Sequence, residues 1–136
     1  MASITAIEGI GAKYRKKLLA ADIRSTDKLL EAGATRKGRK QLAETCDISE
    51  KLVLEWVNRA DLMRVKGVST QYSDLLEAAG VDSVKELRRR KPVNLHSAMI
   101  EANSAKRKPL VRQPPAASQV ERWVEHAKSL DPVIKH

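Results

Sequence analysis

The fold is decided by a stretch of sequence that occurs twice. Ile7-Glu8-Gly9-Ile10-Gly11 returns, 58 residues further along the chain, as Val65-Lys66-Gly67-Val68-Ser69. The same spacing continues downstream of each stretch and pairs Tyr14 with Tyr72, Leu18 with Leu76, Ile23 with Val81, Ser25 with Ser83 and Leu29 with Leu87. Similarity that keeps one spacing from residue 7 to residue 29 predicts two copies of one supersecondary unit.

Within each copy the apolar residues have helical spacing. Tyr14, Leu18 and Ala21 are separated by steps of four and three, as are their counterparts in the second copy. A short turn follows each predicted helix, and Ser25 and Ser83 are placed to cap the helix that comes next.

The remaining segments are also predicted to be helical. A basic helix over about residues 35–45 and an amphipathic helix opened by Ser49 lie between the copies. After the second copy a helix begins near Pro92, residues 105–116 form a Pro-rich linker, and Ser118 opens a last helix. No segment alternates as a strand would, so the predicted class is all-α.

Three segments are predicted along the chain. Residues 1–60 hold the first copy and two helices, residues 61–104 hold the second copy, and residues 105–136 hold the linker and the last helix. We expect truncation after Asn103 to leave a folded core, with the last helix dispensable for folding.

Composition restricts the function classes. The 136 residues carry 26 Lys and Arg against 17 Asp and Glu, a formal charge of +9 that favours an anionic partner. Aromatic residues make up only 3% of the chain, which argues against a base-stacking platform, and both Trp56 and Trp123 lie on apolar helical stripes typical of a core.

Redox chemistry and metal binding are not expected. Cys46 is the only cysteine, which excludes an intrachain disulfide and a cysteine zinc site and favours a reducing cytoplasm. His96, His126 and His136 lack the spacing of metal ligands. Without a signal-peptide or membrane-spanning apolar segment, we expect a cytoplasmic location and no membrane partner.

An enzymatic function is not expected either. The chain has no phosphate-binding lysine loop, no dinucleotide fingerprint and no nucleophile elbow. We therefore expect a non-enzymatic protein without a cofactor.

The first glycine-containing stretch has the chemistry of a phosphate site. Glycine permits a tight path and leaves backbone N–H groups uncovered at the start of the next helix, so Gly9, Ile10, Gly11 and Ala12 could offer amides. The cations that follow along one helix edge are Lys13, Lys16 and Lys17. The alternative is a turn that only lets two helices cross closely.

These residues resemble the helix-hairpin-helix motif, which binds the DNA backbone without sequence preference. The tandem arrangement, with Asn94-Leu95-His96 downstream, is similar to an uncharacterised bacterial domain family over roughly residues 3–130. The resemblance implies two pseudo-repeated helix-hairpin-helix units, each a SAM-like orthogonal helical bundle, plus a C-terminal helix.

The second copy departs from the motif. Lys66, Gly67 and Ser69 are its candidate nucleic-acid-binding residues, but Ser69 replaces the second glycine, Gln71 replaces the lysine, and Asp74 follows in the next helix. The first copy is therefore the better candidate for a phosphate site. The second copy either binds phosphate as well or has a purely structural role.

Two functions follow as expectations. The first is sequence-independent binding of a nucleic-acid backbone, with duplex DNA as the leading partner. The alternative is a protein–protein adaptor that keeps the tandem fold without DNA binding and docks an acidic protein on its basic face.

Overall fold

A computed structural model describes residues 3–7, 9–105 and 107–135, and over these residues the protein is helical with no strand. A 3-10 helix at Ile4–Ala6 precedes eight α-helices, which are α1 (Ala12–Ala20), α2 (Thr26–Ala32), α3 (Arg36–Cys46), α4 (Glu50–Leu62), α5 (Thr70–Ala78), α6 (Val84–Leu87), α7 (Pro92–Ala105) and α8 (Ala117–Ser129). The predicted all-α class is confirmed. None of these helices is long and apolar enough to cross a membrane.

The chain divides into two compact units. Unit 1 comprises Met1–Asp61 together with Val133–His136, and unit 2 comprises Leu62–Pro132. The linker and the last helix, which the sequence suggested as a third segment, lie almost entirely within unit 2.

Both units begin with the same pair of backbone turns. In unit 1 the N–H of Ile7 donates to the carbonyl of Ile4 at 3.1 Å, and the N–H of Ile10 donates to Ile7 at 3.3 Å. The residues 58 positions later, over 62–68, make the same two bonds at 3.1 Å each. All six side chains are buried, so apolar residues at every third position fix the entry to both units.

The turn after the first long helix of each unit is also shared. The N–H of Ile23 donates to the carbonyl of Leu18 at 2.9 Å, and Val81 donates to Leu76 at 2.8 Å. The serine that follows each turn accepts, at 3.2 Å, from the backbone N–H three residues later. These side-chain caps, at Ser25 and its counterpart, begin α2 and α6 as the sequence predicts.

Each unit closes with a helix that carries one tryptophan. The ring centroids of Tyr14 and Trp56 are 5.1 Å apart in unit 1, and those of Tyr72 and Trp123 are 5.1 Å apart in unit 2. The buried stripe of α4 (Val53, Trp56, Val57 and Ala60) matches that of α8 (Val120, Trp123, Val124 and Ala127). The two tryptophans are 67 residues apart, so extra residues before α8 hide this part of the repeat from a fixed offset.

The last helix is part of the core of unit 2. Trp123 is 2% exposed and packs in one cluster with Leu75, Leu87 and Met99. This packing argues against the expectation that the last helix is dispensable for folding, because α8 packs on α6 and α7 and its apolar residues belong to the same buried cluster.

Residues 107–116, the described part of the Pro-rich segment that follows α7, have no regular secondary structure, as predicted, and side chains of α7 contact them. The Asn103 side-chain amide donates to the carbonyl of Val111 at 3.2 Å and accepts from its N–H at 3.1 Å. His96 Nε2 lies 2.9 Å from the carbonyl oxygen of Pro115. Helix α7 therefore contacts the segment at two points, Val111 and Pro115, before α8 begins.

A buried arginine joins α3 to two other backbone segments of unit 1. Arg39 is 6% exposed, and its guanidinium donates to the carbonyls of Gly33 and Lys135 at 2.9 Å each. Burial, with a smaller contribution from Arg36, lowers the pKa of Arg39. The middle of the basic run at residues 36–40 is thus structural and not a free cationic surface.

Candidate nucleic-acid interface

The first glycine turn, defined as Gly9-Ile10-Gly11, leads directly into α1. Gly9 has a φ of +94°, a left-handed conformation that a side chain would strain. Ile10 is buried, and its N–H already donates to Ile7, so this residue anchors the turn and its amide is engaged. The buried side chain of Ile10 therefore anchors the turn to the core, while Gly9 and Gly11 on either side are exposed.

The start of α1 leaves backbone donors open. Gly11 is the N-cap residue, it is exposed, and no side chain caps this helix. The first helical bond runs from the N–H of Arg15 to the carbonyl of Gly11, and the N–H groups of Ala12, Lys13 and Tyr14 have no acceptor among the described residues. Three such amides at the positive end of a helix dipole form an anion-binding arrangement.

The three candidate lysines have different surroundings. Lys13 and Lys16 are exposed, and the Lys13 ammonium lies 6.0 Å from the centroid of the Tyr14 ring. Lys17 is half-buried, and its Nζ donates to the carbonyl of Asp47 at 3.0 Å, at the end of α3. Lys17 therefore caps a helix C-terminus, whereas Lys13 and Lys16 are available to a ligand.

Two arginines of unit 1 that the sequence analysis does not single out share one cleft. Arg15 and Arg24 line a cleft of about 440 Å³ in unit 1, together with Ser3, Ile4 and Leu19. Arg15 follows the glycine turn within the same basic helix, so the charge pattern of α1 was the signal for it. Arg24 comes after a break in the helix, and only the backbone bond from Ile4 to its carbonyl shows its proximity.

The second glycine turn, defined as Gly67-Val68-Ser69, has the same backbone but occupied donors. Gly67 has a φ of +91°, yet the Ser69 hydroxyl accepts from the N–H of Tyr72 at 3.3 Å and caps α5. The N–H of Lys66 donates to His126 Nδ1 at 3.0 Å. The amide of Tyr72, which is the counterpart of the open amide of Tyr14, is thus bonded within the unit, as is the amide that precedes the turn.

The helices that follow the two turns carry opposite charge. Helix α1 has no acidic residue and four basic ones, which are Lys13, Arg15, Lys16 and Lys17. Helix α5 has Asp74 and Glu77 and no basic residue. The structure therefore brings together amides and cations at the first turn, and it does not do so at Ser69 and the start of α5.

Residues 8–130 match the family described as "Domain of unknown function (DUF4332)". The chain belongs to this family. The predicted membership of an uncharacterised domain family is thereby confirmed, while neither a curated protein nor a solved structure matches the chain.

This DUF4332 chain has a buried thiol and no cluster of metal ligands in the part that the structure describes. No group of three or more His, Cys, Asp or Glu side chains could hold an ion there. Cys46 is buried with its Sγ 3.6 Å from the carbonyl of Lys17, and burial raises the pKa of its thiol. Cys46 is therefore a packing residue.

Proposed function

We propose that the first glycine turn and the start of α1 form a non-enzymatic, sequence-independent nucleic-acid-binding site of the helix-hairpin-helix kind, in a cytoplasmic protein. The open N–H groups of Ala12, Lys13 and Tyr14 carry the proposal. A phosphate there would accept backbone hydrogen bonds while Lys13 and Lys16 supply charge.

The geometry favours backbone contacts over base readout. The donors are main-chain amides and flexible lysines, which bind phosphate oxygens and carry no sequence information. Tyr14 packs against Trp56 in a T-shaped arrangement, so its ring already has a packing role within unit 1. Duplex DNA is the leading partner, and the proposal requires no cofactor.

The adaptor function remains the second candidate, and one observation favours it. Ser69 caps α5 and so satisfies a donor of the second turn within the protein. A helix start that lacks part of its phosphate donors, followed by acidic residues, suits a protein partner better than a nucleic acid.

The test is fluorescence anisotropy of the full chain with a short labelled DNA duplex, measured over a range of salt concentrations. Lys13→Glu with Lys16→Glu should weaken binding by about tenfold or more and lower the log–log salt slope by about two, since two phosphate contacts are lost. A duplex of unrelated sequence and an RNA duplex serve as competitors.

The matched control is Arg107→Glu with Lys108→Glu, which makes the same change in charge at exposed residues outside the site. The control should lose much less affinity. Equal losses in the two variants would mean that only net charge matters, and the first glycine turn would not be the binding site.

A further inference from the structure

A groove of about 620 Å³ lies in unit 2 between the second glycine turn and α8. The residues that matter in its lining are Lys66, Gly67, Arg122, Trp123, Glu125 and His126. This volume is within the range of natural ligand pockets, which is about 300–1,000 Å³.

The floor of the groove is apolar and closely packed. Trp123 packs on Tyr72 and is 2% exposed, so only an edge of its indole reaches the groove. A Cβ atom on Gly67 would lie 3.1 Å from Trp123 Nε1, and the glycine therefore keeps the turn close against the ring.

The rim of the groove is cationic. Lys66 and Arg122 are exposed. His126 accepts from the N–H of Lys66 through Nδ1, which leaves the proton of the neutral ring on Nε2 as a further donor. The carboxylate of Glu125 lies 3.4 Å from Lys128 Nζ, which offsets its charge.

The rim charge is specific to unit 2. At the equivalent positions of unit 1 the sequence has Glu8 in place of Lys66 and Glu55 in place of Arg122. The shared fold explains why unit 2 has Gly67 and Trp123, since unit 1 has a glycine and a tryptophan at the same positions. It does not explain why the two rim residues are basic in unit 2 and acidic in unit 1.

We propose that this groove docks a segment of a protein partner in which an Asp or Glu side chain is adjacent to an apolar side chain. The carboxylate pairs with Lys66 and Arg122, and the apolar side chain lies on the Gly67–Trp123 floor. This site is independent of the nucleic-acid site proposed for unit 1.

A nucleic acid fits the groove less well than a peptide. Trp123 is too deeply buried to stack on a base. A recessed apolar floor suits a single side chain of a peptide.

The proposal is tested by selecting short random peptides, displayed on phage, for binding to the full-length protein. Lys66→Glu with Arg122→Glu is the counter-target. The expected consensus has Asp or Glu adjacent to an apolar residue. A synthetic peptide of that sequence should bind the double variant at least about tenfold more weakly, the loss typical of a broken charge pair, and should bind the Arg107→Glu with Lys108→Glu control as tightly as the wild type.

Each unit contains one tryptophan, so indole N–H signals in NMR spectra locate the bound peptide. The peptide should shift the signal of Trp123 and leave that of Trp56 in place. Arg122→Gln is the second variant should the charge reversal disturb the fold, and it should also weaken the peptide.

Several results would overturn the proposal. The selection could show no enrichment or give a consensus without acidic residues. The peptide could bind the double charge-reversal variant and Arg122→Gln as tightly as the wild type. The peptide could also shift only the indole signal of Trp56. Displacement of the peptide by a DNA duplex that itself requires Lys66 and Arg122 would assign the groove to nucleic acid instead.

Discussion

The two glycine turns of this protein share a backbone and differ in chemistry. Gly9 and Gly67 have φ values of +94° and +91°, and each turn lies near a tryptophan whose ring is 5.1 Å from a tyrosine. At the first turn the helix begins with open amides and cations, whereas at the second Ser69 caps the helix and acids follow.

This difference shows which positions the fold constrains. The buried residues and the left-handed glycines are kept in both copies because packing and backbone strain leave few alternatives. The N-cap residue and the exposed face of the next helix are free to change, so one scaffold carries two surfaces. Likeness in fold is therefore no evidence that the two turns bind the same partner.

Removal of residues 104–136 is the change with the largest expected effect. Unit 2 would lose Trp123 and the other buried residues of α8, and truncating one such aromatic alone typically costs about 3–5 kcal/mol. We expect the backbone amides of α5 and α7 to lose their protection from hydrogen exchange. Protection that persists in the truncated chain would show that unit 2 folds without α8.

Alanine substitution at the glycines separates strained from unstrained positions. Gly9→Ala and Gly67→Ala should each destabilise their unit by about 1–2 kcal/mol, because alanine is disfavoured at positive φ. Gly11 has a φ of −82° and open space where a Cβ would be, so Gly11→Ala is the control without backbone strain and should cost less, because only the preference for glycine over alanine at the N-cap is lost. Urea unfolding measures all three, and an equal cost at Gly11 would contradict this account.

Substitutions at the two N-cap residues test whether the caps account for the difference between the turns. Ser69→Ala should cost about 1 kcal/mol through the lost cap of α5, while Gly11→Ser should stabilise α1 by a few tenths of a kcal/mol. The new hydroxyl would also occupy an amide of α1, so Gly11→Ser should weaken duplex binding. Unchanged duplex affinity in a Gly11→Ser protein would mean that the open amides do not bind phosphate.

The smallest expected effect concerns the thiol of unit 1. Burial raises the pKa of Cys46, so less thiolate is present at a given pH than for an exposed cysteine. Reaction with a colorimetric disulfide reagent at pH 8 should be much slower in the native protein than in denaturant, and should remain slow as the pH approaches the ordinary thiol pKa. Equal rates in the two conditions would show that Cys46 is exposed.

Much of the fold could be predicted from the sequence because its signals are local. The fixed spacing of 58 residues marks the copies, and the serine caps mark where α2 and α6 begin. A comparison at the fixed offset of 58 residues does not detect the equivalence of α4 and α8, because insertions before α8 change the spacing to 67. A repeat search with gaps, anchored on Trp56 and Trp123, would have found it.

The sequence points to the residues of the candidate site but not to their packed surroundings. The sequence indicates glycines and lysines, yet the bond from Lys17 to Asp47 joins residues 30 positions apart and depends on tertiary packing. The same holds for the cleft beside Arg15. Spacing along one helix places cations on an edge, but only the packed neighbours determine which of them remain free.

The central claim is that phosphate binds at the start of α1 and not at the start of α5. NMR spectra of the backbone amides, recorded while a short DNA duplex is added, test it most directly. We predict large shifts for Ala12, Lys13 and Tyr14, and little change for Gln71 and Tyr72, with the same pattern for a duplex of unrelated sequence. Shifts of equal size at both helix starts, or shifts confined to α5, would contradict the account.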